Sequence, residues 1–177
     1  MSMTLFLSPV DMAMAVGLSQ VANQSGSITM SLGFAATQAG HSCTGARGYW
    51  AGPATTLKVS LWSAGTRLAS QTVSVSGAGV FTASFGSSVA LTAGVQYAIS
   101  VWDTAGLNYT TMLVNAGSTL YSVLPAVETG VNVVAGQYIE YCPYISSSTP
   151  YGAQGSGDAN PSSGSPFYGC PIEPTVT

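Results

Sequence analysis

From Ser27 to Trp102 the chain alternates apolar residues with small polar ones, in short runs broken by clusters of Gly, Ser, Thr and Ala. A period of two is the signature of half-buried β-strands, and such clusters mark turns. Ile28, Met30, Leu32 and Phe34 alternate with Thr29, Ser31 and Gly33, which predicts a strand that opens the domain near Ser27. Cys43 to Trp50 predicts a second, ending at Gly52-Pro53. Leu57, Val59 and Leu61 then point to one face and Lys58, Ser60 and Trp62 to the other, before Ser63-Ala64-Gly65-Thr66 makes a hairpin turn and Arg67 to Val75 returns. Gly77-Ala78-Gly79 leads into Val80 to Phe85, followed by Val89-Ala90-Leu91 and a turn at Thr92-Ala93-Gly94. In the next strand Val95, Tyr97, Ile99 and Val101 share the core face, and Gln96, Ala98, Ser100 and Trp102 the opposite one.

Further strands are predicted over 109–114, 120–124, 131–134 and 137–142, with turns at Asn115-Ala116-Gly117, Pro125, Thr129-Gly130 and Ala135-Gly136. Strands at a spacing of roughly 8 to 12 residues predict an all-β, antiparallel β-sandwich, jelly-roll or immunoglobulin-like. The sequence divides into an apolar N-terminal arm or short helix (1–26), the sandwich (27–142) and a Pro/Gly/Ser-rich C-terminal arm (143–177). In the first arm Ser8-Pro9-Val10-Asp11 fits a helix start, and residues 3–7 equally fit an extended segment. Both arms carry aromatic and aliphatic pegs, among them Leu5, Phe6, Tyr144, Tyr151, Phe167 and Tyr168, which are candidate interface residues. The arms are expected to dock either on their own domain or on a neighbour.

Composition narrows the field. With 177 residues the chain can form one domain with a substantial core, and charged residues make up only 5%. That is far below the roughly 25% of ordinary globular proteins, so the surface is neutral and Gly, Ser, Thr and Ala must fill it. Arg47, Lys58 and Arg67 are scattered and form no basic patch, which excludes nucleic acid as a partner. No apolar run is long enough for a membrane-spanning helix. The start of the chain lacks the basic residues of a secretory signal. The three cysteines are Cys43, Cys142 and Cys170; a Cys142–Cys170 bridge and a set of free, buried thiols are both open readings.

Candidate chemistry is thin. His41 precedes Ser42 and Cys43, but neighbours on a strand face opposite ways and no nucleophile-elbow motif accompanies them. Asp11, Asp103, Glu128, Glu140, Asp158 and Glu173 are too dispersed to form a glycosidase pair within one strand. Gly157-Asp158-Ala159-Asn160 offers a single acid where calcium needs several oxygen ligands. No catalytic residue, metal or cofactor is expected. Trp62 and Trp102 fall on the polar face of their strands, where each is either capped at a strand end or serves as an aromatic anchor for a partner or a sugar ring.

The stretches LGFAATQAG, TGARGYWAG, KVSLWSAGTRLAS and VALTAGVQYAISVW, over about residues 30 to 110, resemble a β-sandwich domain family of uncharacterised function found in phage structural and bacterial extracellular proteins. Their shared positions are turns and core residues, so the resemblance implies a fold and carries no reaction. The expectation is a non-enzymatic virion structural protein of a tailed phage. A capsid decoration or cement protein comes first, binding the major capsid protein or another virion protein through its arms and forming a homo-oligomer, with a trimer favoured. The alternatives are a secreted glycan-binding module of a bacterial surface protein, located extracellularly, and a phage tail or fibre component.

Overall fold

A computed structural model describes residues 10, 20–21, 28–50, 52–105, 110–111, 139–142, 153–156, 163–164 and 172–177. Almost all of them lie in antiparallel strands: β1 (Gln20–Val21), β2 (Ile28–Ala36), β3 (Ser42–Trp50), β4 (Thr55–Ser63), β5 (Thr66–Val75), β6 (Gly79–Ala90), β7 (Gln96–Asp103), β8 (Thr110–Thr111), β9 (Ile139–Cys142), β10 (Ala153–Ser156), β11 (Ser163–Gly164) and β12 (Ile172–Val176). The larger sheet runs β11-β10-β2-β7-β4-β5, with β9 also paired to β2; the smaller runs β12-β3-β6; and β1 pairs with β8.

The period of two explains the two-layer packing. Leu32 and Phe34 of β2, Leu57, Val59 and Leu61 of β4, and Tyr97, Ile99 and Val101 of β7 form one wall of the core. Ala46 and Trp50 of β3, Phe81, Ala83 and Phe85 of β6, and Ile172 of β12 form the other. Strands that present an apolar row on one face must bury it against a second such row, and the result is an antiparallel β-sandwich. Phe34 and Tyr97 stack across β2 and β7 with ring centroids 5.7 Å apart.

Two close approaches hold the smaller sheet together. Gly48 of β3 lies opposite Phe81 of β6, and a methyl group there would run into the Phe81 ring. Gly45 sits beside a register shift in the same pair, and a methyl group would meet the Ala83 carbonyl oxygen. The second obstacle is backbone, which cannot swing aside as a side chain can.

The expected strands from Ser27 to Trp102 are all present, with three differences. First, the chain does not break after Phe85: β6 continues through Gly86-Ser87-Ser88 to Ala90, because the register shift opposite Cys43 and Gly45 absorbs the extra residues. Second, Val95 is exposed and not on the core face; its N–H donates to the Thr92 carbonyl at 3.1 Å, which closes the turn before β7 begins. Third, the hairpin loop takes its conformation from a non-glycine residue as well as a glycine. Ala64 has φ 46° and Gly65 φ 83°, the two positive angles of a tight loop that matches the twist of β4 and β5.

β10, β11 and β12, assigned from sequence to the C-terminal arm, join the sheets of the sandwich itself. β10 pairs with the first half of β2 and β9 with the second, so that edge is shared. β12 pairs along β3, and Ser42 and Thr177 exchange hydrogen bonds at 2.9 and 3.0 Å. Ile172 is fully buried, so the last strand of the chain completes the core. The strands predicted over 109–114 and 137–142 are described at Thr110–Thr111 and Ile139–Cys142; those at 120–124 and 131–134 lie outside the described residues.

Candidate interaction surface

The face of the larger sheet that points away from the core is lined by small side chains. Thr29 and Ser31 of β2, Ser60 and Trp62 of β4, and Ala98 and Ser100 of β7 occupy it, and all are buried. Composition pointed to such residues as a solvent-facing surface; here they are buried on β2, β4 and β7, and the face is open along β5. Trp62 keeps the orientation its phase predicts but only 5% of it is exposed. Its Nε1–H donates to Ser100 Oγ at 2.8 Å, and the Ser100 hydroxyl donates to the Ser60 carbonyl at 3.3 Å. The Arg67 guanidinium lies 4.5 Å from the centroid of its ring, a cation–π contact. Ala98 and Ser100 are small enough to let the indole lie down, and Arg67 covers it. An indole held this way offers no open face to a sugar.

Trp102 is half-buried, between Thr29 of β2 and Lys58 of β4 in the sheet register. Arg67 was not singled out in the sequence, although the signal is there: a two-residue turn at Ala64-Gly65 pairs Trp62 with Arg67 directly across the hairpin.

Of the groups considered for chemistry, His41, Cys43, Asp103 and Glu173 are described and each takes part in the fold, while Asp11, Glu128, Asp158 and the side chain of Glu140 lie outside the described residues. Cys43 is buried and donates to the Gly45 carbonyl at 3.3 Å; burial pushes its thiol up from 9.0 to about 11. A thiol held protonated in an apolar site is a poor nucleophile. His41 is half-buried, and its carbonyl accepts a hydrogen bond from Leu91 N–H at 2.8 Å. Asp103 is buried at the end of β7, where it accepts from Thr55 Oγ1 at 2.6 Å and from Ala105 N–H at 3.0 Å and pins the turn after the strand. Arg47 of β3 and Glu173 of β12 form an ion pair at 3.0 Å across the two strands. The other Glu173 oxygen accepts from the N–H of Val10, itself fully buried, at 3.4 Å, so one carboxylate ties three distant parts of the sequence together. Nothing in the sequence alone placed Arg47 beside Glu173.

Among the described residues no group of His, Cys, Asp and Glu side chains is placed to hold a metal ion, and no helix is long and apolar enough to cross a membrane. Leu5, Phe6, Tyr144, Tyr151, Phe167 and Tyr168 lie outside the described residues, as do Cys170 and the side chain of Cys142, and with them the candidate disulfide.

Besides turns and strand ends, the described residues present one flank of the sandwich to solvent. β5 ends the larger sheet and β6 ends the smaller one, so the two lie together along one side. On β5 Thr66, Leu68, Ser70, Gln71, Thr72 and Ser74 are exposed, and on β6 Val80, Thr82, Ser84, Gly86, Ser87 and Ser88. Leu68 and Val80 are the largest apolar members, at 40% and 46% exposure. No charged residue occurs anywhere from Leu68 to Trp102. No family model, curated protein or solved structure matches the chain.

Proposed function

We propose that the protein is a non-catalytic structural component of a virion, a β-sandwich that decorates or cements a tailed-phage capsid. The observation that carries this reading is the pairing of an inert interior with a neutral flank. The thiol and buried carboxylate considered for chemistry serve the fold, while a broad surface of Ser, Thr, Gly and aliphatic side chains is left to solvent. Such a surface has little charge to strip of water and nothing to repel a neighbour, which suits a component held in a dense, repeated array. The resemblance to phage structural domains supports the same class. The glycan-binding alternative is weakened because Trp62, one of its two aromatic candidates, is sealed beneath Arg67.

The test uses particles assembled with and without this protein. Particles that lack it are expected to release their genome at lower temperature, and adding the purified chain back is expected to restore the transition. Equal melting of the two preparations, with no binding of the added chain, overturns the reading. Truncation after Cys142 is not a clean probe of docking, because it also removes β12 and with it Ile172 from the core.

A further inference from the structure

Residues from the first and last stretches of the sequence meet on the smaller sheet. In β12 Ile172 is fully buried in the core, and successive residues of a strand face opposite ways, so Glu173 projects from the outer face of that sheet. It lies opposite Arg47 of β3 in the register, and the two form an ion pair at 3.0 Å. The second carboxylate oxygen accepts from the N–H of Val10 at 3.4 Å, across 163 residues of sequence. Val10 is fully buried, and a buried backbone N–H is costly to leave without an acceptor.

Glu173 is therefore a bridge and not only one half of an ion pair. The far end of β12 is pinned separately, by the two hydrogen bonds between Ser42 and Thr177. The near end carries Ile172 in the core and Glu173 on the outer face. If β12 lifts from β3, the carboxylate leaves Val10 and its N–H loses the acceptor. If Val10 lifts away, a carboxylate whose side chain is only 12% exposed loses a donor, and buried charge is costly to leave unmatched.

We propose that Glu173 is a latch, which makes the chain at Val10 and the strand β12 dock on the smaller sheet and leave it as one unit. Coupling of this kind is reciprocal, so whatever loosens the one loosens the other by the same factor. The sequence left open whether the N-terminal arm docks on its own domain or on a neighbour. At Val10 it is docked on its own domain, and a neighbour that drew it away would weaken the hold of the strand that completes the core. The inference concerns the chain alone and does not depend on the virion reading.

The test is amide hydrogen exchange of the full chain at a series of low urea concentrations, read residue by residue, with circular dichroism to confirm folding. In the wild type the Val10 amide and the strand-bonded amides of β12 are expected to exchange through one opening, with the same protection and the same dependence on urea. Glu173→Leu keeps an apolar stem and removes both acceptor oxygens. It is expected to split the two, with Val10 exchanging roughly tenfold faster than β12 and depending less on urea. Glu173→Gln, which retains one acceptor, should fall between. Thr44→Val removes only the hydroxyl that donates to the Thr175 carbonyl at 3.3 Å, and should leave the shared opening intact. A Val10 amide that exchanges through an opening of its own in the wild type overturns the proposal, and that comparison requires no variant. So does a folded Glu173→Leu chain in which Val10 and β12 still open together, because a general loss of stability moves both equally.

Discussion

The two flanks of the sandwich are built from equally strand-prone sequence and end differently. On one side β2 and β3 are sealed by β9, β10 and β12, all from the last third of the chain. On the other, β5 and β6 stand at the rim with their outward side chains in solvent. Edge protection here comes from covering strands and not from charge, for which the chain has few residues to spare. Among the described residues only the flank of β5 and β6 is left uncovered, and the sealed flank is where stability is concentrated.

The sharpest way to break this contrast is to unseal the closed side. A chain ending at Pro171 loses β12, leaves the β3 edge bare and removes Ile172 from the core. Ile172→Ala alone is expected to cost about 2 to 5 kcal/mol, a large share of the roughly 5 to 15 kcal/mol of a typical domain. The truncated chain should therefore lose its cooperative thermal transition. Retention of that transition would move β12 out of the set of core strands.

Cys43 gives a pH-dependent version of the same test. Its folded thiol titrates at about 11 against 9.0 unfolded, so the folded state keeps a proton that the unfolded chain gives up first. Its contribution is fully present below pH 9.0 and is lost as pH rises towards 11, on the order of 2 to 3 kcal/mol in all. Comparing urea midpoints of wild type and Cys43→Ala across that window should show the wild type falling faster. The Cys43 peptide should also resist alkylation until the protein unfolds.

Packing between β3 and β6 is tested next. Gly48→Ala is expected to cost about 1 to 3 kcal/mol, and Phe81→Leu in the same chain should recover part of it, since the obstacle is a side chain. Gly45→Ala should be at least as damaging and gain nothing from that second change, because it meets backbone. Urea melts of the four combinations decide this. The smallest effect belongs to the open side: Leu68→Ser should change folding stability by no more than about 0.5 kcal/mol.

The strand pattern from Ser27 to Trp102 was legible because alternation and glycine turns are local signals, and the Ser63-Ala64-Gly65-Thr66 hairpin even fixes its own register. What local signals cannot convey is which strands become edges. The core-facing row of β5 is weaker than that of β4, with Gln71 opposite Val59 and Ala69 opposite Leu61, but alternation alone does not say what pairs beyond it. For the same reason the core role of Ile172 and the pairing of Arg47 with Glu173 escaped notice: their partners are distant in sequence and joined only by the pairing of β12 with β3. Trp62 was placed on the correct face, but its burial depends on Arg67 and on the small residues of β7 together, a tertiary fact.

The contrast between flanks is tested most directly by amide hydrogen exchange of the intact chain at high and low concentration. Amides of β4 and β7, interior to the larger sheet, should be protected at both. Alternate amides of β5 between Leu68 and Val75, beyond which no described strand pairs, should exchange faster at both. If β5 exchanges as slowly as β4 and β7, its edge is covered and the contrast between flanks fails.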